Sequence, residues 1–220
     1  MTTPNIQARK KSGADEESLT EWFTVHTRQI TWSVIVLAVI IGGIWFYERS
    51  QAIKSQRAET AYFQARQAVD AGNLPLGVSD LQKVTNRYEG TSAGTQAALT
   101  LAQAYYDQNK FKEGVAALKN AEAKAPKEFQ ASIHVLEAAG YEGLKDLANA
   151  AEQFKLAANA TRFPNDKSEY LASAARDYQA AGKAAEAKAI WTDLSKDENP
   201  AVSGEARVRL GELEAKPMQV

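Results

Sequence analysis

The sequence predicts an all-α protein: one N-terminal membrane-spanning helix followed by an α-solenoid of helix pairs. Three observations predict it. Residues 30–47 form an uncharged apolar run. From residue 58 onward, a pattern of small and large residues recurs. The composition favours helix, with 40 Ala against 13 Gly and 6 Pro in 220 residues. The same composition excludes several classes of chemistry. There is no Cys, which excludes disulfides, thiolate metal sites, iron–sulfur clusters and cysteine nucleophiles. The two histidines, His26 and His134, are too few for a His-rich metal site. With 26 Lys and Arg against 27 Asp and Glu, the formal net charge is −1, which does not suit non-specific nucleic-acid binding.

Residues 1–17 are polar and of mixed charge, and cannot bury enough apolar surface to fold alone, so a disordered tail is expected there. Ser18-Leu19-Thr20-Glu21 then has the form of a capping box. Leu19, Trp22, Phe23 and His26 follow at helical spacing and share one stripe. Over 18–29 this predicts a short amphipathic helix at the membrane surface, with a partner-binding motif as the alternative.

The run 30–47 reads ITWSVIVLAVIIGGIWFY. Its 18 residues span roughly 27 Å as a helix, close to the hydrocarbon thickness of a bilayer. Trp32 at one end and Trp45, Phe46 and Tyr47 at the other form aromatic belts. An uncleaved signal anchor is the reading adopted; the alternatives are a buried core helix and a cleaved signal peptide. The run is longer than a signal-peptide core and has no A-x-A-like site after it. Ala38 and Gly42 make a small-xxx-small face on which another helix could pack. Charge does not orient the span, since Arg9, Lys10, Lys11 and Arg28 before it are matched by Arg49, Lys54, Arg57 and Arg66 after it.

Within 48–215 the clearest unit runs over 95–126, where two amphipathic helices flank the polar turn Gln108-Asn109-Lys110. Leu101, Ala102 and Tyr105 share a face of the first helix; Gly114, Leu118 and Ala121 share a face of the second, and Pro126 ends the unit. These are the large and small positions of a tetratricopeptide repeat. The template fits again with Ala138, Tyr141, Ala150, Phe154 and Ala157; with Leu171, Ala175, Tyr178, Ala187, Trp191 and Leu194; and more poorly with Ala65, Ala68, Gly77, Leu81 and Val84. Units are therefore expected near 58–94, 95–130, 131–167 and 168–200, with a capping helix over 202–215. Each pair has an apolar face that it cannot bury alone, so the pairs stack.

No phosphate-binding loop, dinucleotide fingerprint or nucleophile elbow is present. No enzymatic activity, cofactor or metal is expected. His134, between Ile133 and Val135, reads as a structural histidine, and Asn159-Ala160-Thr161 as a chance glycosylation triplet. What remains is surface. The first helices of a solenoid line a groove, and the template puts Tyr62, Arg66, Gln96, Gln103, Tyr106, Asp107, Glu142, Arg176 and Gln179 on it. That mixture of aromatic, amide and both charge signs suits a polypeptide better than a polyanion. Plain solvation of each residue is the alternative.

The layout of charged tail, signal anchor, linking helix and repeats resembles the YfgM-like family of bacterial inner-membrane proteins. The stretch that carries most of the likeness is Tyr88-Glu89-Gly90-Thr91 followed by 97–102 and Tyr105-Tyr106. The resemblance covers nearly the whole chain, although the basic cluster Arg9-Lys10-Lys11 departs from the acidic opening of some members. It implies a cytoplasmic N-terminus, periplasmic repeats, and partners at the Sec translocon or a membrane-anchored periplasmic chaperone. A competing reading is a fixed accessory subunit of a respiratory or photosynthetic membrane complex. Both readings expect other proteins and the lipid bilayer as partners, and no nucleic acid.

Overall fold

The structure, a computed structural model, describes residues 11–215, with side chains placed for 24–29 and 31–215. The expected tail over 1–10, and the side chains of Leu19, Trp22 and Phe23, lie outside the described residues. All described regular structure is helical. The chain divides into two compact units, Met1–Ile53 and Lys54–Val220.

The first unit is built on α1, a single helix over Lys11–Asp70. Residues 11–17 are thus helical where the composition suggested disorder, and no break separates the amphipathic stretch from the apolar run. The physical reason is the absence of any proline between Pro4 and Pro75. Within this helix the Thr27 and Thr31 hydroxyls donate to Thr24 O (2.9 Å) and Thr27 O (2.7 Å), so both turn their polarity back onto the backbone. None of the apolar window is buried. Val34, Leu37, Ile41 and Trp45 are all exposed, which is not how a core helix of a soluble domain sits. The helix is long and apolar enough to cross a membrane.

The second unit begins with the end of α1. It continues with α2 (Leu74–Arg87), α3 (Ser92–Tyr106), α4 (Phe111–Glu122), a 3-10 turn (Lys127–Phe129), α5 (Gln130–Gly143), α6 (Leu147–Ala160), α7 (Pro164–Ala180), α8 (Ala184–Leu194) and α9 (Pro200–Glu214). From α2 onward each helix packs on the next, and α3 also meets α5 as α7 meets α9. That is the nearest-neighbour pattern of a solenoid, in which the first helices α3 and α5, and likewise α7 and α9, lie beside one another.

The turns within pairs share one device. Gly72, Asn109, Lys145 and Gly182 all take positive φ, between 57° and 78°. At each, the turn residue donates three residues back and its successor donates five back, as in Asn109 N to Tyr106 O (2.8 Å) and Lys110 N to Tyr105 O (2.9 Å). This is a Schellman closure, which satisfies carbonyls left open at the helix end. Its left-handed residue favours Gly or Asn, and three of the four positions have one. Lys145 adopts the same conformation without that advantage.

Alanine makes the interior. Ala58, Ala97, Ala102, Ala138, Ala150, Ala172, Ala175 and Ala187 are fully buried, and Leu81, Leu118, Ile133, Phe154, Tyr178 and Trp191 fill the spaces between. Small residues let helix axes approach, and large ones restore packing density.

Candidate functional site: the first-helix face

Counting back from each left-handed turn residue aligns the repeats. Six positions back stand Arg66, Gln103, Ala139 and Arg176; three back stand Val69, Tyr106, Glu142 and Gln179. Most of the residues predicted for the groove fall on these two registers, one helical turn apart.

The structure ties several of them to a neighbour. The hydroxyls of Tyr62 on α1 and Thr100 on α3 are hydrogen-bonded at 3.0 Å. Arg66 pairs with Asp70 at 3.6 Å. Gln103 donates to the Asp107 carboxylate at 3.1 Å. Arg176 forks onto Glu205 of α9, with Nε to Oε1 at 2.8 Å and Nη2 to Oε2 at 2.9 Å. The guanidinium holds the Glu205 carboxyl below the usual carboxylate range. Gln96 is exposed and Gln179 half-buried.

Tyr106 does not line an open face. It is buried, its hydroxyl donates to Leu136 O at 3.0 Å, and burial pushes its ionisation well up. A Cβ built at Gly114 on α4 or Gly140 on α5 would overlap its ring. The ring therefore occupies space that two glycines vacate. The adjacent Tyr105 is half-buried, and its hydroxyl accepts from Gln82 at 2.6 Å.

Glu142 holds the register of Tyr106 one unit later. It is half-buried, and burial raises its pKa against the lowering effect of Lys145. Facing it electrostatically is Asp177 of α7, which sequence reasoning missed. Asp177 is 8% exposed, and its Oδ2 is buried without a hydrogen-bond partner. Burial first, then the Glu142 charge, push its pKa up to about 6, although Arg176 pulls the other way. The available signal was positional: five residues before the turn residue, the two preceding units have Ala104 and Gly140.

A second polar group is built around His134 on α5. The His134 Nδ1 donates to the Gln153 Oε1 of α6 (2.9 Å), and carboxylates of Glu122 and Glu137 are each 3.7 Å from the ring nitrogens. Glu137 is 1% exposed with Oε1 unpartnered. Among the described residues no group of His, Asp and Glu could hold a metal ion. In the first unit, Ala38 and Gly42 are exposed, with nothing within 4 Å of a Cβ built at Gly42.

A tetratricopeptide repeat-like domain model matches residues 20–137, more than half of the chain. The chain belongs to the tetratricopeptide repeat-like domain family. Solved structures agree on the fold of this tetratricopeptide repeat-like protein. BtubC (BKLC) from P. vanneervenii is similar at 14% identity and a TM-score of 0.51, over 74% of this chain and 68% of that one. TPR-like repeats of a Podosopora anserina protein assigned as a kinesin light chain are similar at 16% identity and a TM-score of 0.52, over 72% of this chain and 85% of that one. No curated protein matches the sequence. The repeats make this tetratricopeptide repeat-like chain a protein-interaction scaffold, a fold typically without catalysis of its own, and its partners are other proteins.

Proposed function

We propose that the chain is a membrane-anchored interaction scaffold of the YfgM-like kind. Its N-terminus lies in the cytoplasm, α1 anchors it in the inner membrane, and its solenoid lies in the periplasm. There it accompanies exported or membrane proteins at the translocon, alone or with a periplasmic chaperone. The observation that carries this reading is the wholly unburied apolar segment of α1 in a chain whose remaining helices form a repeat scaffold. Exposed apolar surface on that scale needs lipid or another helix to cover it. The mixed polarity of the first-helix face supports polypeptide clients over polyanions.

Purification in mild detergent with mass spectrometry of the co-purifying proteins tests the partner. Translocon subunits are expected. A constant set of energy-conversion subunits would instead make the chain a fixed accessory subunit, packed through Ala38 and Gly42. A reporter active only outside the cytoplasm, fused after Val220, is expected to be active; an inactive fusion contradicts the orientation.

A further inference from the structure

The seam between α5 and α7 departs from its own repeat. One unit earlier, at the α3–α5 seam, the ring of Tyr106 lies against Gly140. At the α5–α7 seam the equivalent positions are Glu142 and Asp177. A packed aromatic–glycine contact is thus replaced by two carboxyls. No stacking requirement explains the exchange, because a buried carboxyl without a partner costs stability.

Among the described residues, neither carboxyl forms an ion pair. No hydrogen bond from any described group reaches either carboxyl, and the buried Asp177 Oδ2 is without a partner. The cation beside Asp177 in the chain, Arg176, has its guanidinium committed to Glu205 on α9 by two hydrogen bonds. Lys145, in the turn after α5, lowers the Glu142 pKa without offsetting the effect of burial. Among the described residues, the site therefore offers two acceptors to a donor that none of them supplies.

We propose that Glu142 and Asp177 form a receptor for one basic side chain, Lys or Arg, of a polypeptide lying across the first-helix face. The inference rests on the scaffold reading above and gives its face a preferred ligand chemistry. A bound ammonium or guanidinium would supply the missing donors and remove the like-charge repulsion between the two carboxyls. Glu142, the more exposed of the two, meets the incoming charge first, and the deeper Asp177 then completes its coordination.

The test uses the full chain in detergent and two short fluorescein-labelled Gly-Ser-Leu peptides that differ at one central residue, Lys or Gln. Binding is read by fluorescence anisotropy at neutral pH. The Lys peptide is expected to bind about tenfold more tightly, the scale of a charge-assisted hydrogen bond. Glu142→Gln and Asp177→Asn should each abolish that preference, with thermal unfolding followed in parallel to show that both variants are folded. Equal binding of both peptides to the wild-type chain overturns the receptor and leaves the scaffold reading standing. A Lys preference that survives in both variants also overturns it, because the attraction then lies elsewhere. Binding of neither peptide overturns the receptor and counts against the face itself.

Discussion

Tyr106 and Asp177 show what single residues do here. Tyr106 fills the space left by Gly114 and Gly140, so adding one methyl at Gly140 overpacks a buried contact. Gly140→Ala is expected to lower stability by roughly 1–3 kcal/mol. Tyr106→Phe keeps the ring and loses only the bond to Leu136 O, a cost of about 1 kcal/mol. Urea unfolding of both variants checks the order. Asp177 makes a pH prediction. Its folded pKa of about 6 lies above the 3.8 that is ordinary for an aspartate, so the folded chain keeps a proton that the unfolded chain releases. That contribution is complete below about pH 4 and lost as pH rises to about 6. Asp177→Asn removes the buried charge, so at neutral pH it should be more stable than wild type by about 2 kcal/mol, with the gap closing towards pH 4. A constant difference across that range would contradict the assignment. The sequence placed Tyr106 on the open face because its helical phase allows it; what decides its burial is the pair of glycines on two other helices, which no local pattern links to it. Asp177 was legible only as a break in the register of Ala104 and Gly140; the charge that faces it comes from α5.

At the level of helices, three tyrosines bolt successive pairs together. Tyr105, Tyr141 and Tyr178 stand at one register, four residues before the left-handed turn residue. Each hydroxyl takes a donor from the second helix of the preceding pair: Gln82 at 2.6 Å, Lys119 at 2.6 Å and Lys155 at 3.2 Å. The Lys119 and Lys155 ammonium groups also lie over their rings, at 5.3 and 5.6 Å from the centroids. Tyr178 donates in turn to the Glu152 carboxylate. A double-mutant cycle on Lys119→Met and Tyr141→Phe should give a coupling of about 0.5–1 kcal/mol in urea unfolding, the range of a partly exposed cation–π contact with a hydrogen bond. Zero coupling would make the repeated geometry incidental. The tyrosines were legible as the large positions of a recurring template. Their partners were not, because the donors are Gln in one unit and Lys in two. The turns were legible at Gly72, Asn109 and Gly182, whose residue types favour positive φ. Lys145 gives no such signal; stacking of α5 on α6 imposes the turn there.

For the whole molecule, the apolar run and the repeat were both readable because each is a long, strongly patterned signal. The fold class followed from them, and the family match agrees with it. The boundary between tail and helix was not readable, since polar residues without proline are compatible with either state. On the proposed function, the chain works by contact, from a membrane tether, through its first-helix face. Site-specific photo-crosslinking in intact cells tests it most directly. A photoreactive amino acid replaces Gln103 on α3 or, as a control, Asn120 on α4, both exposed. The chain is expected to stay with the washed membrane fraction, and protein adducts are expected at position 103 and not at 120. Adducts at neither position, equal adducts at both, or a chain recovered in the soluble fraction would contradict it.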